Sequence, residues 1–339
     1  MKTVLIDSLA DFRAFIAAHR VLIEPVREAD GVVRWAESSP QRDWENFDGV
    51  PLSSLKPFFF AERETVFVFD GTHFRSRLPD VPSRVFFGVK ACDAAALAVQ
   101  DRFFAEDPLY QARRKSALVV AVDCVSPCAG GFCPLTDAGP LVREEGADLV
   151  LTPVARGWQL AARTANGERV LTDFRRSQAS VVELDPVEAA QTRQALGDAC
   201  VAAFGDLSAL AAGLARVQAG AVTPAEWETL AIQCLSCSGC VNLCPSCSCF
   251  TTFDVGQPQG IVRERVWDAC LYDGFQREAS GHHPSPTPGA RTARYWFHKF
   301  SPHFIPQQGR LGCTGCGRCD AVCPGVIGAK AVLTRVGAC

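Results

Sequence analysis

The pattern of apolar and polar residues predicts a mixed α/β structure for the N-terminal part of the chain. Apolar residues recur at helical spacing over Leu9–Ala18, so a helix is expected there. Short β-rich runs predict strands, which lie at Val21–Val26, Val32–Trp35, Thr65–Asp70, Val85–Val89 and Ala117–Val122. Between the last two strands, Asp93–Phe104 has the pattern of a helix with Asp93 as its N-cap. This strand–helix–strand order indicates a parallel βαβ unit.

Further strands and helices are predicted between residue 148 and the small-residue stretch that begins at residue 219. A hairpin is predicted from Asp148–Val154 and Trp158–Ala161, and an Ala/Leu-rich helical stretch from Pro186–Val217, broken around Gly205. The small-residue stretch at 219–226 then suggests a boundary between two domains, at residues 1–222 and 223–339. The second domain is predicted to begin with the helix Pro224–Ile232. Its Pro-, His- and Gly-rich segment Gln276–Arg294 is expected to be a loop.

The cysteines are distributed unevenly. The chain has 17 cysteines in 339 residues, a density below that of a small secreted disulfide scaffold, and 12 of the 17 follow residue 230. Two stretches share the spacing C-x2-C-x2-C-x3-C-P. The first contains Cys234, Cys237, Cys240 and Cys244, and the second contains Cys313, Cys316, Cys319 and Cys323. The second part of the chain therefore carries an internal repeat.

This spacing is that of the bacterial ferredoxin motif, which binds [4Fe–4S] clusters. Three thiolates two residues apart can surround three corners of the cluster. In two-cluster proteins the fourth cysteine reaches the other cluster. The expected ligand sets are Cys234, Cys237, Cys240 and Cys323 for the first cluster, and Cys313, Cys316, Cys319 and Cys244 for the second. Tetrahedral zinc is the alternative, but zinc sites use two cysteine pairs rather than a triplet followed by Cys-Pro.

Several residues inside and beside the two cysteine motifs have predicted roles of their own. Gly239, Gly315 and Gly317 lack a Cβ, so backbone N–H groups could approach cluster sulfides closely. Arg318, inside the second motif, is a candidate charge for tuning a cluster or docking a partner, although an arginine in a loop is usually solvated. Lys299 has two open interpretations: a charge that acts on a cluster or partner, or a solvated or capping residue.

The predicted fold class is therefore α+β or α/β. A mixed α/β domain is followed by a bacterial-ferredoxin-like domain with two [4Fe–4S] clusters, and a long insertion, residues 250–312, separates its two motifs.

The composition of the chain and the absence of nucleotide-binding motifs reduce the number of possible functions. The net charge is −3, which gives no electrostatic indication of nucleic-acid binding. The first twenty residues include charged side chains where a signal peptide needs an apolar run, and no membrane span is indicated, so a reducing cytoplasm is expected. No G-x-G-x-x-G motif follows a strand and no P-loop lysine motif occurs, so the sequence indicates no nicotinamide, flavin or ATP site.

The combination of motifs resembles one family of 4Fe-4S dicluster proteins. These are the β subunits of sulfhydrogenases, which are cytosolic NAD(P)-linked [NiFe] hydrogenases, together with the corresponding iron–sulfur subunits of anaerobic sulfite reductases. Beyond the two cysteine motifs, the resemblance rests on segments in both parts of the chain. They are Gly88–Asp93, Asp107–Tyr110, Arg113-Arg114, Asp123-Cys124, Cys244–Phe250, Arg265–Cys270, Gly281-His282 and His298–Phe300.

The resemblance implies an electron-transfer subunit of a cytoplasmic complex. Such a subunit relays electrons between a flavoprotein that handles NAD(P)H and a catalytic subunit of the hydrogenase or sulfite/sulfur reductase type. The alternative is a redox enzyme with its own cluster- or thiol-based active site in the N-terminal domain. Turnover of a two-electron substrate by the isolated chain would distinguish the two.

Four cysteines of the N-terminal domain suggest a third metal centre. Cys92 follows the predicted strand Val85–Val89, and Cys124, Cys128 and Cys133 follow Ala117–Val122. If the two strands are parallel neighbours, these thiols open on one sheet edge. The family pattern has Cys-Phe-Cys where this chain has Gly131-Phe132-Cys133, and Cys128 is additional.

The remaining thiols have simpler interpretations. Cys247 and Cys249 could ligate a further centre or be redox-active, but such thiols more often pack beside a cluster as small apolar groups. Cys200 and Cys270 are expected to be buried helix residues.

Overall fold

The computed structural model describes residues 3–143, 146–178, 181–258 and 260–338. The strands are β1 (Thr3–Ile6), β2 (Val21–Arg27), β3 (Val33–Glu37), β4 (Arg63–Phe69), β5 (Phe74–Ser76), β6 (Arg84–Lys90), β7 (Ala117–Val122), β8 (Leu149–Pro153), β9 (Trp158–Ala162), β10 (Val182–Glu183), β11 (Phe250–Gln257) and β12 (Gly260–Trp267). The helices are α1 (Leu9–Ala17), α2 (Lys56–Phe59), α3 (Ala91–Phe103), α4 (Pro108–Lys115), α5 (Ala165–Ser177), α6 (Pro186–Ala203), α7 (Ser208–Gln218), α8 (Pro224–Ala231), α9 (Gly239–Asn242), α10 (Pro288–Phe300), α11 (Ile305–Gln308), α12 (Arg318–Val322) and α13 (Ala329–Gly337).

The N-terminal part is built on an eight-stranded mixed sheet. Its strand order is β10-β1-β9-β8-β7-β6-β2-β3. The central strands β2, β6, β7 and β8 run parallel, and antiparallel strands extend both edges. The predicted βαβ unit is confirmed, because β6 and β7 are parallel neighbours joined through α3 and α4. The predicted hairpin is confirmed as β8 and β9.

Apolar side chains cover both faces of this sheet. Every residue of β7 is buried, as expected for a parallel strand with a layer on each side. On one face the alternating residues of β7 pack with α1 and α5, where Phe12 lies edge-on to Phe174 with ring centroids 5.1 Å apart. On the other face they pack with α3, α4 and the aromatic pair Phe59 and Phe60. The sheet is thus a rigid centre from which the loops after β6 and β7 project.

The N-cap prediction for α3 is wrong. The helix begins at Ala91, its N-cap is Lys90, and no side chain caps it. Asp93 lies inside the first turn and is 2% exposed. Its carboxylate is used in a tertiary contact with Arg318, which sequence spacing could not show.

A second sheet joins the N-terminal part to the segment between the two cysteine motifs. Its order is β11-β12-β4-β5, with all pairs antiparallel. Arg265 on β12 and Arg113 on α4 both pair with Glu64 on β4, at 2.5 and 2.6 Å. Strand β12 therefore pairs with β4 of the first part of the chain, and β11 follows it in the same sheet. The division at residue 222 stays a prediction.

The C-terminal core combines helices from both sides of that division. Helix α7 packs on α13 so closely that a Cβ on Gly213 would lie 1.9 Å from the Leu333 carbonyl oxygen. Helices α8 and α10 complete the layer with Trp227 and Trp296. The loop prediction for Gln276–Arg294 is wrong at its end, because α10 begins at Pro288. The Thr287 side chain caps it by accepting from the Ala290 N–H at 3.1 Å, a start signal that the Thr-Pro sequence carried.

Within the described residues, no single helix combines the length and apolarity needed to cross a membrane. Helices α6 and α7 meet those criteria only as a pair, by length and composition, with a 93° bend between them.

Candidate functional site

The two cysteine motifs have the same backbone conformation. The residue after the second cysteine is left-handed in both, with φ of 60° at Ser238 and 78° at Gly317. The residue before the second cysteine is left-handed as well, with φ of 50° at Ser236 and 62° at Gly315. Each loop then enters a short helix, α9 or α12, and these two helices pack together where Gly239 meets Val322. The sequence repeat is thus a structural repeat.

One cavity brings together the first three cysteines of the first motif and the last cysteine of the second. Cys234, Cys237, Cys240 and Cys323 all line it. Its other walls are mainly apolar, with Tyr295, Trp296 and Ile327 among them. Four thiols on a largely apolar cavity are the donor set that a [4Fe–4S] cluster takes. The residues present therefore fit the cluster predicted here, and the cross-ligated assignment stays a prediction that this cavity supports.

The complementary set gathers on the other side of the repeat. Burial is the main reason that the pKa of Cys313 is raised to about 12, and the neighbouring Cys316 and Cys244 thiolates add repulsion. Burial is also the main reason that the pKa of Cys316 is raised, and the Cys244 thiolate adds to it. Cys244 of the first motif therefore lies near the thiols of the second motif.

The buried thiols need a partner if they are to ionise. Burial raises the pKa of Cys240 to about 12, with repulsion from Cys234 and Cys323 adding to it. A coordinated metal deprotonates such thiols outright. Backbone N–H groups already point at the sulfur atoms: Gly315 N lies 3.4 Å from Cys313 Sγ and Ala329 N lies 3.3 Å from Cys319 Sγ. Hydrogen bonds of this kind to sulfur are one way in which proteins set cluster potentials.

Two buried lysines lie beside Cys244. Lys299 Nζ donates to Ser246 Oγ at 2.9 Å, and Lys56 Nζ donates to the Val241 carbonyl at 3.1 Å. Lys56 also lies 3.9 Å from the Trp267 ring centroid, a cation–π contact. The hydrogen bond from Cys247 and then the Lys299 charge hold the pKa of Cys244 well below its usual value. Lys299 is therefore a buried charge that acts on the thiol of Cys244, and its interpretation as a solvated residue is wrong.

Arg318, inside the second motif, is buried rather than solvated. Its guanidinium forms a bidentate pair with Asp93, at 2.6 and 2.8 Å, and both side chains are 1% exposed. Its Nε donates to the Pro51 carbonyl at 2.8 Å. The second motif is thus tied to the start of α3. No sequence pattern indicated this pairing, because 225 residues separate the two.

The glycines of the second motif allow close contact with the N-terminal part. A Cβ on Gly315 would lie 2.6 Å from the Cys133 backbone, and one on Gly317 would lie 2.6 Å from the Gly130 carbonyl oxygen. Gly315 O also accepts from Phe132 N at 2.8 Å. These two glycines therefore serve packing between the parts of the chain, a role that the sequence did not indicate. At Gly239 the nearest contact would be an ordinary 3.5 Å.

The four N-terminal cysteines lie at one site. Cys92, Cys124, Cys128 and Cys133 line a single cavity at the ends of β6 and β7. Within the described ranges, no three Cys, His, Asp or Glu side chains converge closely enough to hold a single metal ion.

The other cysteines differ in their surroundings. Cys247 is buried beside Cys244, and Cys249 lies beside Cys270, each pair within hydrogen-bonding range. Cys200 is buried on α6, as expected. Cys270 is buried in a turn after β12 instead of in a helix, because the chain leaves the sheet there.

Comparison with known proteins agrees with the site. Residues 233–327 match the family model described as a 4Fe-4S dicluster domain, so the chain consists of a mixed α/β N-terminal part and a C-terminal dicluster domain. Over 288 residues the chain is 26% identical to the protein named Sulfhydrogenase 2 subunit beta from Pyrococcus furiosus. The match covers 83% of this chain and 82% of that protein. The resemblance to sulfhydrogenase β subunits is confirmed.

Proposed function

We propose that this protein is an iron–sulfur electron-transfer subunit of a hetero-oligomeric oxidoreductase. It relays electrons between a flavoprotein that handles NAD(P)H and a catalytic subunit of the hydrogenase or sulfite/sulfur reductase type. The observation that carries the proposal is the interleaved arrangement of the two motifs. Cys323 lies in the cavity of the first motif, and Cys244 lies among the thiols of the second.

The chemistry fits a relay. When bound, each [4Fe–4S] cluster accepts or gives one electron. The protein's contribution is the set of thiolates, the backbone N–H groups directed at sulfur and the buried positive charges of Lys299 and Lys56. The sequence contains no nucleotide-binding fingerprint, so the two-electron chemistry of NAD(P)H belongs to another subunit.

The surface at the first motif suits an electron-exchange contact. Cys237 is exposed there. Beside the four cysteines of the first cavity lie three strongly exposed apolar side chains: Ile232 is 83%, Leu235 is 69% and Val326 is 63% exposed. We refer to these three residues as the apolar rim. Exposed apolar residues grouped around a site mark interaction surfaces. We assign the apolar rim to the contact with a partner protein that carries a redox cofactor.

The test is co-purification of the complex with variants of the rim. The chain is co-expressed with the flavoprotein and catalytic subunits, and retention of each partner is measured by size-exclusion chromatography under anaerobic conditions. The substitutions Ile232→Glu and Leu235→Glu should release one partner and leave the iron content unchanged. Val187→Glu is the matched control, because Val187 is 63% exposed at the start of α6, outside the rim.

Two results would contradict the proposal. One is isolated chain that carries stoichiometric flavin or turns over a two-electron substrate by itself. The other is full retention of both partners by a variant with Ile232→Glu and Leu235→Glu combined.

A further inference from the structure

The carboxyl ends of two central strands hold cysteines in matched positions. Strands β6 and β7 are parallel, and Lys90 at the end of one is the register partner of Val122 at the end of the other. Cys92 and Cys124 each lie two residues beyond these partners. This edge of a parallel sheet is where α/β proteins place their ligands.

The loop after β7 adds two further thiols to the same cavity. Cys128 and Cys133 both line it, together with Cys92 and Cys124. The Ala138 N–H donates to the Cys133 carbonyl at 3.0 Å, and the Gly131 N–H donates to the Cys128 carbonyl at 3.0 Å. The backbone positions of both thiols are thereby fixed by local turns.

Gly131 lies directly beside the thiol of Cys128. A Cβ on Gly131 would lie 2.5 Å from Cys128 Sγ, closer than two unbonded atoms can approach. The Cys128 sulfur therefore occupies the space that a side chain at position 131 would take. A cysteine at position 131 would direct its side chain into the same space.

The cavity has the character of a cluster site. It measures about 470 Å³ including its open mouth, against about 460 Å³ for the cavity of Cys234, Cys237, Cys240 and Cys323. Lys90 lines it and brings a positive charge beside the four thiols, and the carboxylates of Asp48 and Asp123 line it as well. Thiolate-only coordination selects iron–sulfur clusters or soft metals. Four thiols around one cavity are the donor set that a [4Fe–4S] cluster takes.

We propose that Cys92, Cys124, Cys128 and Cys133 bind a third iron–sulfur cluster of the [4Fe–4S] type. Its position is next to the second motif, because Gly315 contacts the backbone of Phe132 and Cys133 directly. The cluster extends the proposed electron path from the dicluster domain to the edge of the large sheet. Binding at this site does not depend on the identity of any partner protein.

The experiment counts iron in the full-length chain, purified anaerobically with its clusters. The wild-type chain should contain about twelve irons. Cys124→Ser and Cys128→Ser should each reduce this to about eight and leave the signals of the two ferredoxin-type clusters in electron paramagnetic resonance unchanged. Cys200→Ser is the matched control, because Cys200 is a buried cysteine whose thiol lies near Cys124 and Cys128 but outside the residues that line the cavity. It should keep about twelve irons.

A swap variant separates ligation from structural support. Cys128→Ala combined with Gly131→Cys moves the thiol to position 131 and should recover the iron that Cys128→Ser loses. A wild-type iron content of about eight that Cys124→Ser leaves unchanged would overturn the proposal. Iron lost from Cys200→Ser and retained by Cys92→Ser would overturn the assignment of ligands. Neither result depends on electron transfer to a partner, so the relay function can fail or hold separately.

Discussion

The Asp93–Arg318 pair is a buried contact at the junction between the two parts of the chain. Both side chains are 1% exposed and the two N–O distances are 2.6 and 2.8 Å. With an effective dielectric constant of about 20, Coulomb's law gives an attraction of about 6 kcal/mol at this separation. Removing one partner of a buried pair costs about 3–5 kcal/mol, because the other charge stays buried without compensation. Arg318→Met also leaves the Pro51 carbonyl without its donor.

The assay is the rate of cluster bleaching in urea under anaerobic conditions, since loss of clusters makes unfolding irreversible. A loss of about 3 kcal/mol that appears in the unfolding rate accelerates bleaching by about a hundredfold. Arg318→Met and Asp93→Leu should each show an acceleration of this size. The double variant should return to within about tenfold of wild type, because no unpaired charge remains. Single variants that bleach at the wild-type rate would refute this reasoning, and so would a double variant whose acceleration equals the product of the two.

Three further predictions concern the dicluster domain. Cys323→Ala should damage the cluster assigned to Cys234, Cys237 and Cys240 and spare the other, as seen in paramagnetic resonance; loss of the other cluster alone would refute cross-ligation. Lys299→Met should lower the potential of the cluster assigned to Cys244 by tens of millivolts in a redox titration, because a positive charge favours the reduced form; an unchanged or higher potential would contradict it. Gly213→Ala should destabilise the α7–α13 contact by about 1–3 kcal/mol and lower the thermal midpoint, whereas Gly274→Ala, where a Cβ would meet nothing within 4 Å, should change the midpoint little.

Local sequence patterns were sufficient to predict the parallel strands β6 and β7, the α6–α7 break and the repeat of the two motifs. Each of these features depends on residues close together in the sequence, so hydrophobic periodicity and cysteine spacing are enough to predict it. The hairpin of β11 and β12 was missed because its exposed face carries few apolar residues, and it is stabilised by pairing with β4, about 190 residues away.

The cysteine site likewise combines features that neighbouring residues predict with contacts between residues far apart in the sequence. The cysteine spacing predicted the thiols of the two motifs, but it did not predict that the charged groups of Arg318, Lys299 and Lys56 are buried. Each is held by a partner distant in sequence: Asp93 for Arg318, Ser246 for Lys299 and Val241 for Lys56. Buried charges of this kind depend on tertiary contacts that a single sequence does not display.

The most direct test of the central claim is the metal and redox content of the full-length chain, purified anaerobically. Iron, zinc and acid-labile sulfide are measured per chain, and the absorbance near about 400 nm is followed during reduction with dithionite and reoxidation. We predict at least about eight irons with matching sulfide, and an absorbance that bleaches and recovers reversibly. Stoichiometric zinc, without sulfide and without that absorbance, would contradict the account.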